Sequence, residues 1–223
     1  MTTIIYCPTK KVVQNDDDAE VANSIIMLKD RFLGAKVTIN DGKAQLERLD
    51  KEANSKIYIV GHGNAGTKIG AHGHENSTAP ELVEQLLGEG LPKQPKNLIR
   101  IHLYACCTAT KVRKGYVGDL QEAFVADFCK ALVKSGCDNY RVVAYVGFLC
   151  GKDGTYSINY HKTKADKREW LGGDKAEPLN VHYTVSGGAW QKLGNDNWVQ
   201  QVEIRSHGFR KNSVVYSMSN AAN

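Results

Sequence analysis

The sequence predicts an α/β fold, with a mostly parallel sheet flanked by helices on both faces and an antiparallel β extension at its C-terminal end. Three observations lead to this prediction. Short apolar runs alternate with amphipathic segments through residues 1–150, which favours successive β-α-β units. Beyond residue 151, alternating segments are separated by Gly, Asn and Asp turns, as is typical of antiparallel strands. The 223 residues, 42% of them hydrophobic, are sufficient for one substantial core.

The parallel part contains the predicted strands and helices of the β-α-β units. Apolar runs bounded by turn residues predict the strands, which span 3–6, 35–39, 57–60, 97–105 and 141–148. Apolar residues at helical spacing predict the helices, which span 19–32, 43–53, 80–87 and 117–133. Acidic residues before position 19 can cap the first helix, and Pro80 suits a first helical turn. The polar, glycine-rich stretch 63–78 is predicted to be a loop.

The C-terminal part is predicted to be antiparallel. Alternation predicts strands at 156–160, 181–185, 198–204 and 213–218. The charged, glycine-rich stretch 162–178 is predicted to be a mobile insertion. We therefore divide the chain into a core, 1–160, and a β extension, 161–223, packed on the same domain.

Charge and hydropathy restrict the function classes. The net charge of +5 is too small and too scattered to favour nucleic-acid binding. The sequence contains no apolar run of the roughly 20 residues that a membrane helix needs. The N-terminal residues look like a first strand and lack the features of a signal peptide, so we expect a cytoplasmic protein, with secretion by a non-classical route still open.

The six cysteines do not form a disulfide framework, because the chain is long and their spacing is irregular. Four of them are predicted to be buried or incidental thiols, since a free cysteine packs as a small hydrophobe: Cys7, Cys129, Cys137 and Cys150. Cys106 and Cys107 differ, because they follow an apolar strand directly and are themselves followed by polar residues.

Two predicted strands end in reactive residues. The run 57–60 leads into His62 and Gly63, and the run 101–104 leads into Ala105 and Cys106. Open α/β sheets place their chemistry beyond the carboxyl ends of parallel strands, so these residues are expected to converge. An imidazole beside a thiol is the combination that activates a cysteine nucleophile. The pattern therefore predicts a cysteine peptidase.

This pair of blocks resembles the clan CD cysteine peptidases, which include caspases, gingipains, clostripain and legumain. Its spacing looks most like the self-processing cysteine protease domains of large bacterial toxins and effectors, and the segments 142–148 and 152–154 are also similar to those domains. The resemblance covers residues 1–160. It implies a caspase-like fold and a cysteine-type endopeptidase that acts on a protein or peptide substrate, including itself, without a required cofactor.

The resemblance also implies roles for individual residues. Cys106 would be the nucleophile and His62 the general acid/base, a dyad without a third member. The backbone N–H groups of Gly63 and Cys106 would form the oxyanion hole. Because side chains alternate along a strand, only one of Cys106 and Cys107 can face the cleft, and the family pattern favours the cysteine that follows alanine.

Two other functions remain open from the residues alone. A catalytically silent caspase-like module could serve as a binding scaffold. A zinc site could be formed by residues of the ligand types that zinc accepts: His62, His72, His74, Glu75 and Cys106. The glycine-rich loop around His72 has no standard ligand spacing, which disfavours zinc, and we predict no metal. No Gly-x-Ser-x-Gly elbow or phosphate-binding glycine motif occurs, which disfavours α/β-hydrolase and nucleotide chemistry.

Basic residues form two clusters along the sequence. The first contains Lys111, Arg113 and Lys114, and the second contains Lys162, Lys164, Lys167 and Arg168. Solvated surface is the simpler interpretation. The resemblance implies another, because toxin protease domains are activated by inositol hexakisphosphate bound in a basic pocket, and lysine and arginine suit clustered phosphates.

Overall fold

The computed structural model describes most of the chain. Backbone is described for residues 1–9, 19–39, 46–64, 68–70, 76–106, 108–109, 111–114, 120–121, 123–145, 148–152, 155–164, 167–171, 180–193, 198–207 and 211–220. Side chains are described for 1–9, 21–37, 46–63, 68–70, 76–106, 108–109, 123–145 and 182–193.

The described elements are strands joined by three α-helices and one 3₁₀ helix. In chain order the strands are β1 (Thr3–Cys7), β2 (Lys36–Ile39), β3 (Lys56–Val60), β4 (His62–Asn64), β5 (Lys68–Gly70), β6 (Asn76–Ser77), β7 (Ile99–Tyr104), β8 (Lys111–Lys114), β9 (Leu120–Gln121), β10 (Tyr140–Tyr145), β11 (Phe148–Lys152), β12 (Thr155–Lys164), β13 (Lys167–Leu171), β14 (Asn180–Ser186), β15 (Ala189–Leu193), β16 (Trp198–His207) and β17 (Lys211–Asn220). The helices are α1 (Ala19–Arg31), the 3₁₀ helix (Leu46–Asp50), α2 (Ala79–Gly88) and α3 (Phe124–Lys134).

A seven-stranded sheet forms the centre of the molecule, with the order β15-β14-β10-β7-β3-β1-β2. In this sheet the strands β2, β1, β3, β7 and β10 are parallel to one another. Strand β14 is antiparallel to β10, and β15 is antiparallel to β14. The fold is therefore α/β with a mostly parallel sheet, as the sequence predicted. From β1 the chain first adds β2 on one side and then adds β3, β7 and β10 in turn on the other side.

Side-chain alternation divides the sheet into two packed faces. On one face, residues such as Ile59 and Leu103 join a core with α2 and α3, and Leu86 and Phe128 are fully buried there. On the other face, residues such as Tyr58 join a smaller core with α1. Helices therefore cover both faces, as expected when parallel strands are buried on both sides.

The helix α2 illustrates how the sequence determines a local element. Thr78 donates a hydrogen bond from its backbone N–H to Glu81 Oε2 at 2.8 Å, and its hydroxyl lies 2.8 Å from the same oxygen. Pro80 occupies the first turn, where no intrahelical N–H is required. Apolar residues at helical spacing then face the core, and the helix ends in a turn after Gly88.

Several predicted elements differ from the observed ones. The predicted helix 43–53 contains only the 3₁₀ helix among its described residues, in which Leu46 and Leu49 supply the buried contacts. The predicted helix 117–133 begins late, because Leu120–Gln121 pair with β8 as strand β9. The predicted loop 63–78 contains β5, β6 and the end of β4.

The C-terminal region contributes to more than one sheet. The hairpin of β14 and β15 extends the central sheet along β10, while β16 pairs with β17 and also, in parallel, with β8. Strand β13 and the end of β12 occupy part of the predicted mobile insertion 162–178. The division of the chain at residue 160 stays a prediction.

Candidate functional site

The two predicted reactive segments follow neighbouring strands. Strands β3 and β7 are adjacent and parallel, and Val60 is the register partner of Tyr104. His62 and Cys106 each come two residues after this pair. Because adjacent strands lie about 4.8 Å apart, both residues leave the sheet at the same edge. The sheet order therefore brings together the two segments that the sequence marked.

The backbones of Gly63 and Cys106 are in direct contact. A Cβ atom built at Gly63 would lie 1.7 Å from the carbonyl oxygen of Cys106 and 2.9 Å from its backbone nitrogen. Real Cβ atoms essentially never approach within 3.0 Å of another residue's atoms, so only glycine fits at this position. The glycine after the histidine thus permits the histidine segment to lie against the cysteine segment.

A small antiparallel sheet holds the histidine segment. His62 belongs to β4 and is the register partner of Gly70 in β5, and Gly63 is the partner of Ile69. Ile69 is fully buried. A Cβ atom at Gly61 would lie 2.9 Å from Ile69 Cγ2, so the backbone before His62 is also closely packed. His62 itself is half-buried.

Cys106 differs from the other described cysteines in its exposure. It is a half-buried thiol, whereas the thiols of Cys7, Cys129 and Cys137 are buried, as the sequence predicted for those three. Burial raises the pKa of Cys129 to about 12, so that thiol remains protonated. Cys107 and the side chain of Cys150 lie outside the described residues.

His102 packs inside the sheet among aromatic side chains. Its ring stacks on Tyr58 with a centroid distance of 4.3 Å, and its Nδ1 lies 3.2 Å from the hydroxyl of Tyr145. Burial, followed by the positive charge of Lys56, lowers the pKa of His102 to about 3. The ring is therefore neutral at physiological pH.

Three basic residues that the sequence analysis did not select form a row across the sheet. Lys56 is the register partner of Arg100, and Arg100 is the partner of Arg141, so the three lie on one face of β3, β7 and β10. All three are half-buried. Like charges in directly opposite positions repel one another. Burial and then the charge of Arg100 lower the pKa of Lys56 accordingly.

The basic row has no acidic counterpart within the part of the chain whose side chains are described. No ion pair joins Lys56, Arg100 or Arg141 to a described carboxylate, and the buried Nε atom of Arg141 has no hydrogen-bond partner there. His182 of β14 faces the same region, and burial followed by the charge of Arg141 lowers its pKa. A sequence signal existed, since each of these three strands has a basic residue, followed by an apolar one, at its first or second position.

The basic residues selected from the sequence occupy other strands. Lys111, Arg113 and Lys114 lie in β8, Lys162 and Lys164 in β12, and Lys167 and Arg168 in β13. In the β12–β13 pair, Lys164 is the register partner of Lys167. The side chains of all seven residues lie outside the described ones, so their predicted role in binding an anion stays a prediction.

Metal binding would need several ligand side chains close together. Within those ranges, no three His, Cys, Asp or Glu residues are arranged to hold a metal ion. His72, His74 and Glu75 of the zinc hypothesis lie outside the described residues. The ligand set of that hypothesis is therefore untested as a whole.

No protein-family model matches this chain, and no curated protein matches it. Among the described residues, no helix combines the length and apolar character needed to cross a membrane. The geometry at the carboxyl ends of β3 and β7 is therefore the main indication of function.

Proposed function

We propose that this chain is a caspase-like cysteine endopeptidase of the clan CD type. The supporting observation is the direct contact between the backbones of Gly63 and Cys106, which brings a His-Gly segment and an Ala-Cys segment together beyond two adjacent parallel strands. Any side chain at position 63 would place its Cβ atom 1.7 Å from the carbonyl oxygen of Cys106. The contact therefore specifically requires glycine. Packing alone does not explain why a thiol and an imidazole flank such a contact.

In the proposed reaction, His62 accepts the proton of the Cys106 thiol, and the thiolate attacks the carbonyl carbon of a peptide bond. The backbone N–H groups of Gly63 and Cys106 stabilise the resulting oxyanion, each contributing roughly 3 kcal/mol. His62 then gives its proton to the departing amine, which leaves a thioester on Cys106. Water attacks this thioester with His62 as base, releasing the acid product and the thiol.

The proposal is tested by labelling with a panel of peptide acyloxymethyl ketones and mapping the modified cysteine. We expect fast labelling at Cys106, abolished in Cys106→Ala and strongly reduced in His62→Ala, with Cys107→Ala unaffected. The preferred peptide would also indicate the residue accepted before the cleaved bond. Slow labelling of every accessible thiol, independent of His62, would instead favour the binding scaffold, and a stoichiometric metal in the purified chain would favour a zinc protein.

We also propose, as an extension of the same resemblance, that an inositol phosphate such as inositol hexakisphosphate regulates this peptidase. The row of Lys56, Arg100 and Arg141 supports an anion near the sheet, because it holds three cations together without a described acidic counterpart. Strand β11, which leads to the basic residues of β12 and β13, contacts α1 on the face that carries this row. Unchanged stability and peptidase activity across added inositol phosphates would contradict this extension.

A further inference from the structure

Thr108 closes the loop that carries Cys106. Its hydroxyl donates a hydrogen bond to the carbonyl oxygen of Leu103 at 3.2 Å. The same carbonyl accepts the backbone N–H of Ala105 at 2.9 Å. Both ends of the segment 105–108 are therefore held by one oxygen atom at the end of β7, and Cys106 lies between them.

Thr108 also joins this loop to two other elements. Its hydroxyl oxygen accepts the backbone N–H of Tyr145, the last residue of β10, at 2.9 Å. Its carbonyl oxygen accepts the N–H of Val125 in the first turn of α3 at 3.0 Å. The next residue adds a further bond, because the N–H of Ala109 donates to the carbonyl of Tyr145 at 2.9 Å. One residue thus links β7, β10 and α3.

The burial of Thr108 makes these bonds consequential. The residue is 1% exposed, so water cannot replace a lost partner of its hydroxyl. Valine has nearly the same shape but can neither donate to Leu103 nor accept from Tyr145. Serine retains both capacities. The two substitutions therefore separate the hydroxyl from the methyl group at the same position.

We propose that Thr108 is a positioning residue, whose buried hydroxyl fixes the loop so that the thiol and the backbone N–H of Cys106 face the segment His62-Gly63. This inference rests on the proposed peptidase function. The contact between Gly63 and the Cys106 carbonyl leaves little tolerance, because a loop shift of about 1 Å can cost on the order of 100-fold in rate. The described hydrogen bonds of Thr108 join it to Leu103, Tyr145 and Val125 rather than to His62 or Cys106.

The test compares wild type, Thr108→Val and Thr108→Ser by the second-order rate of Cys106 labelling with a peptide acyloxymethyl ketone. We expect Thr108→Val to be roughly 10- to 100-fold slower and Thr108→Ser to be within about 2-fold of wild type. Val83→Ala, a buried change in α2, is the control for lost stability. It should lower the melting temperature and leave the labelling rate unchanged.

A wild-type rate in folded Thr108→Val, a slow rate in Thr108→Ser, or equal slowing in Val83→Ala would each overturn the inference. If Thr108→Val does not fold, Thr108→Ala and Thr108→Ser give the same comparison at lower temperature. Hydrogen exchange of the amides of 105–109 is measured in parallel, and we expect Thr108→Val to exchange faster. Equal labelling of Cys106 in wild type and His62→Ala would contradict the peptidase proposal. Hydrogen exchange that is unchanged in Thr108→Val would separately contradict the positioning role of Thr108.

Discussion

Strands β3 and β7 carry different chemistry at their two ends. At the carboxyl ends, His62-Gly63 and Cys106 meet through a backbone contact that only glycine permits. At the amino ends, Lys56 and Arg100 lie opposite each other, and Arg141 extends the row on β10. The carboxyl end is characterised by a close backbone contact, and the amino end by a row of aligned positive charges. Their comparison indicates that the same register can build two different local environments.

The carboxyl end is the more sensitive of the two, and Gly63→Ala tests it most directly. The added methyl group would overlap the Cys106 carbonyl, so we expect the segments to separate and Cys106 labelling to fall by about 100-fold or more. The measurement is the rate of labelling by the peptide acyloxymethyl ketone. Gly88→Ala is the matched control, because a Cβ atom there meets nothing within 4 Å. Equal rates in the two variants would contradict the contact.

Between the two ends, His102 predicts how stability depends on pH. Its pKa is about 3 in the native state and about 6.5 in an unfolded chain, so the unfolded state binds the proton first as the pH falls. The stabilising contribution is fully present above about pH 6.5 and declines as the pH falls toward 3, reaching a loss of order 2 kcal/mol near pH 5.

The check is the free energy of unfolding of wild type and His102→Gln between about pH 7.5 and pH 5. Wild type should lose about 2 kcal/mol more over this range than the variant, since glutamine does not titrate. Tyr145→Phe removes the hydroxyl near Nδ1 but keeps the buried ring, so it should retain the pH dependence. An identical pH dependence in His102→Gln and wild type would contradict the neutral, buried state of His102.

The amino end should give the smallest effect on stability. Replacing Lys56 by Met removes repulsion from Arg100, so we expect the melting temperature at low salt to rise, by the equivalent of less than about 1 kcal/mol. The gain should diminish at high salt, where the charges are screened. Lys51→Met, a change at an exposed residue of the same type, should produce no comparable gain.

The same pair of variants sharpens the anion proposal. Inositol hexakisphosphate should raise the melting temperature of wild type and of Lys51→Met, because a ligand that binds the native state stabilises it. It should raise that of Lys56→Met less. Equal stabilisation of all three proteins would place any bound anion away from the basic row.

Much of the sheet followed from local sequence pattern. The apolar runs predicted β3, β7 and β10 within a few residues, and Thr78 and Pro80 marked the start of α2. One failure occurred where pairing with another segment decides the conformation. Leu120–Gln121 lie in a strand because β8 is beside them, although their residue types also suit the helix predicted there.

The sequence by itself determined the apolar strands and placed a histidine and a cysteine directly after two of them. The tertiary structure decided three things that no local pattern contains: the contact of Gly63 with Cys106, the links from Thr108 to β10 and α3, and the alignment of Lys56 with Arg100 and Arg141. The physical reason is that strand order, register and helix packing bring together residues that are far apart in the chain, such as Gly63 and Cys106. Periodicity reports only which face of its own element a residue occupies.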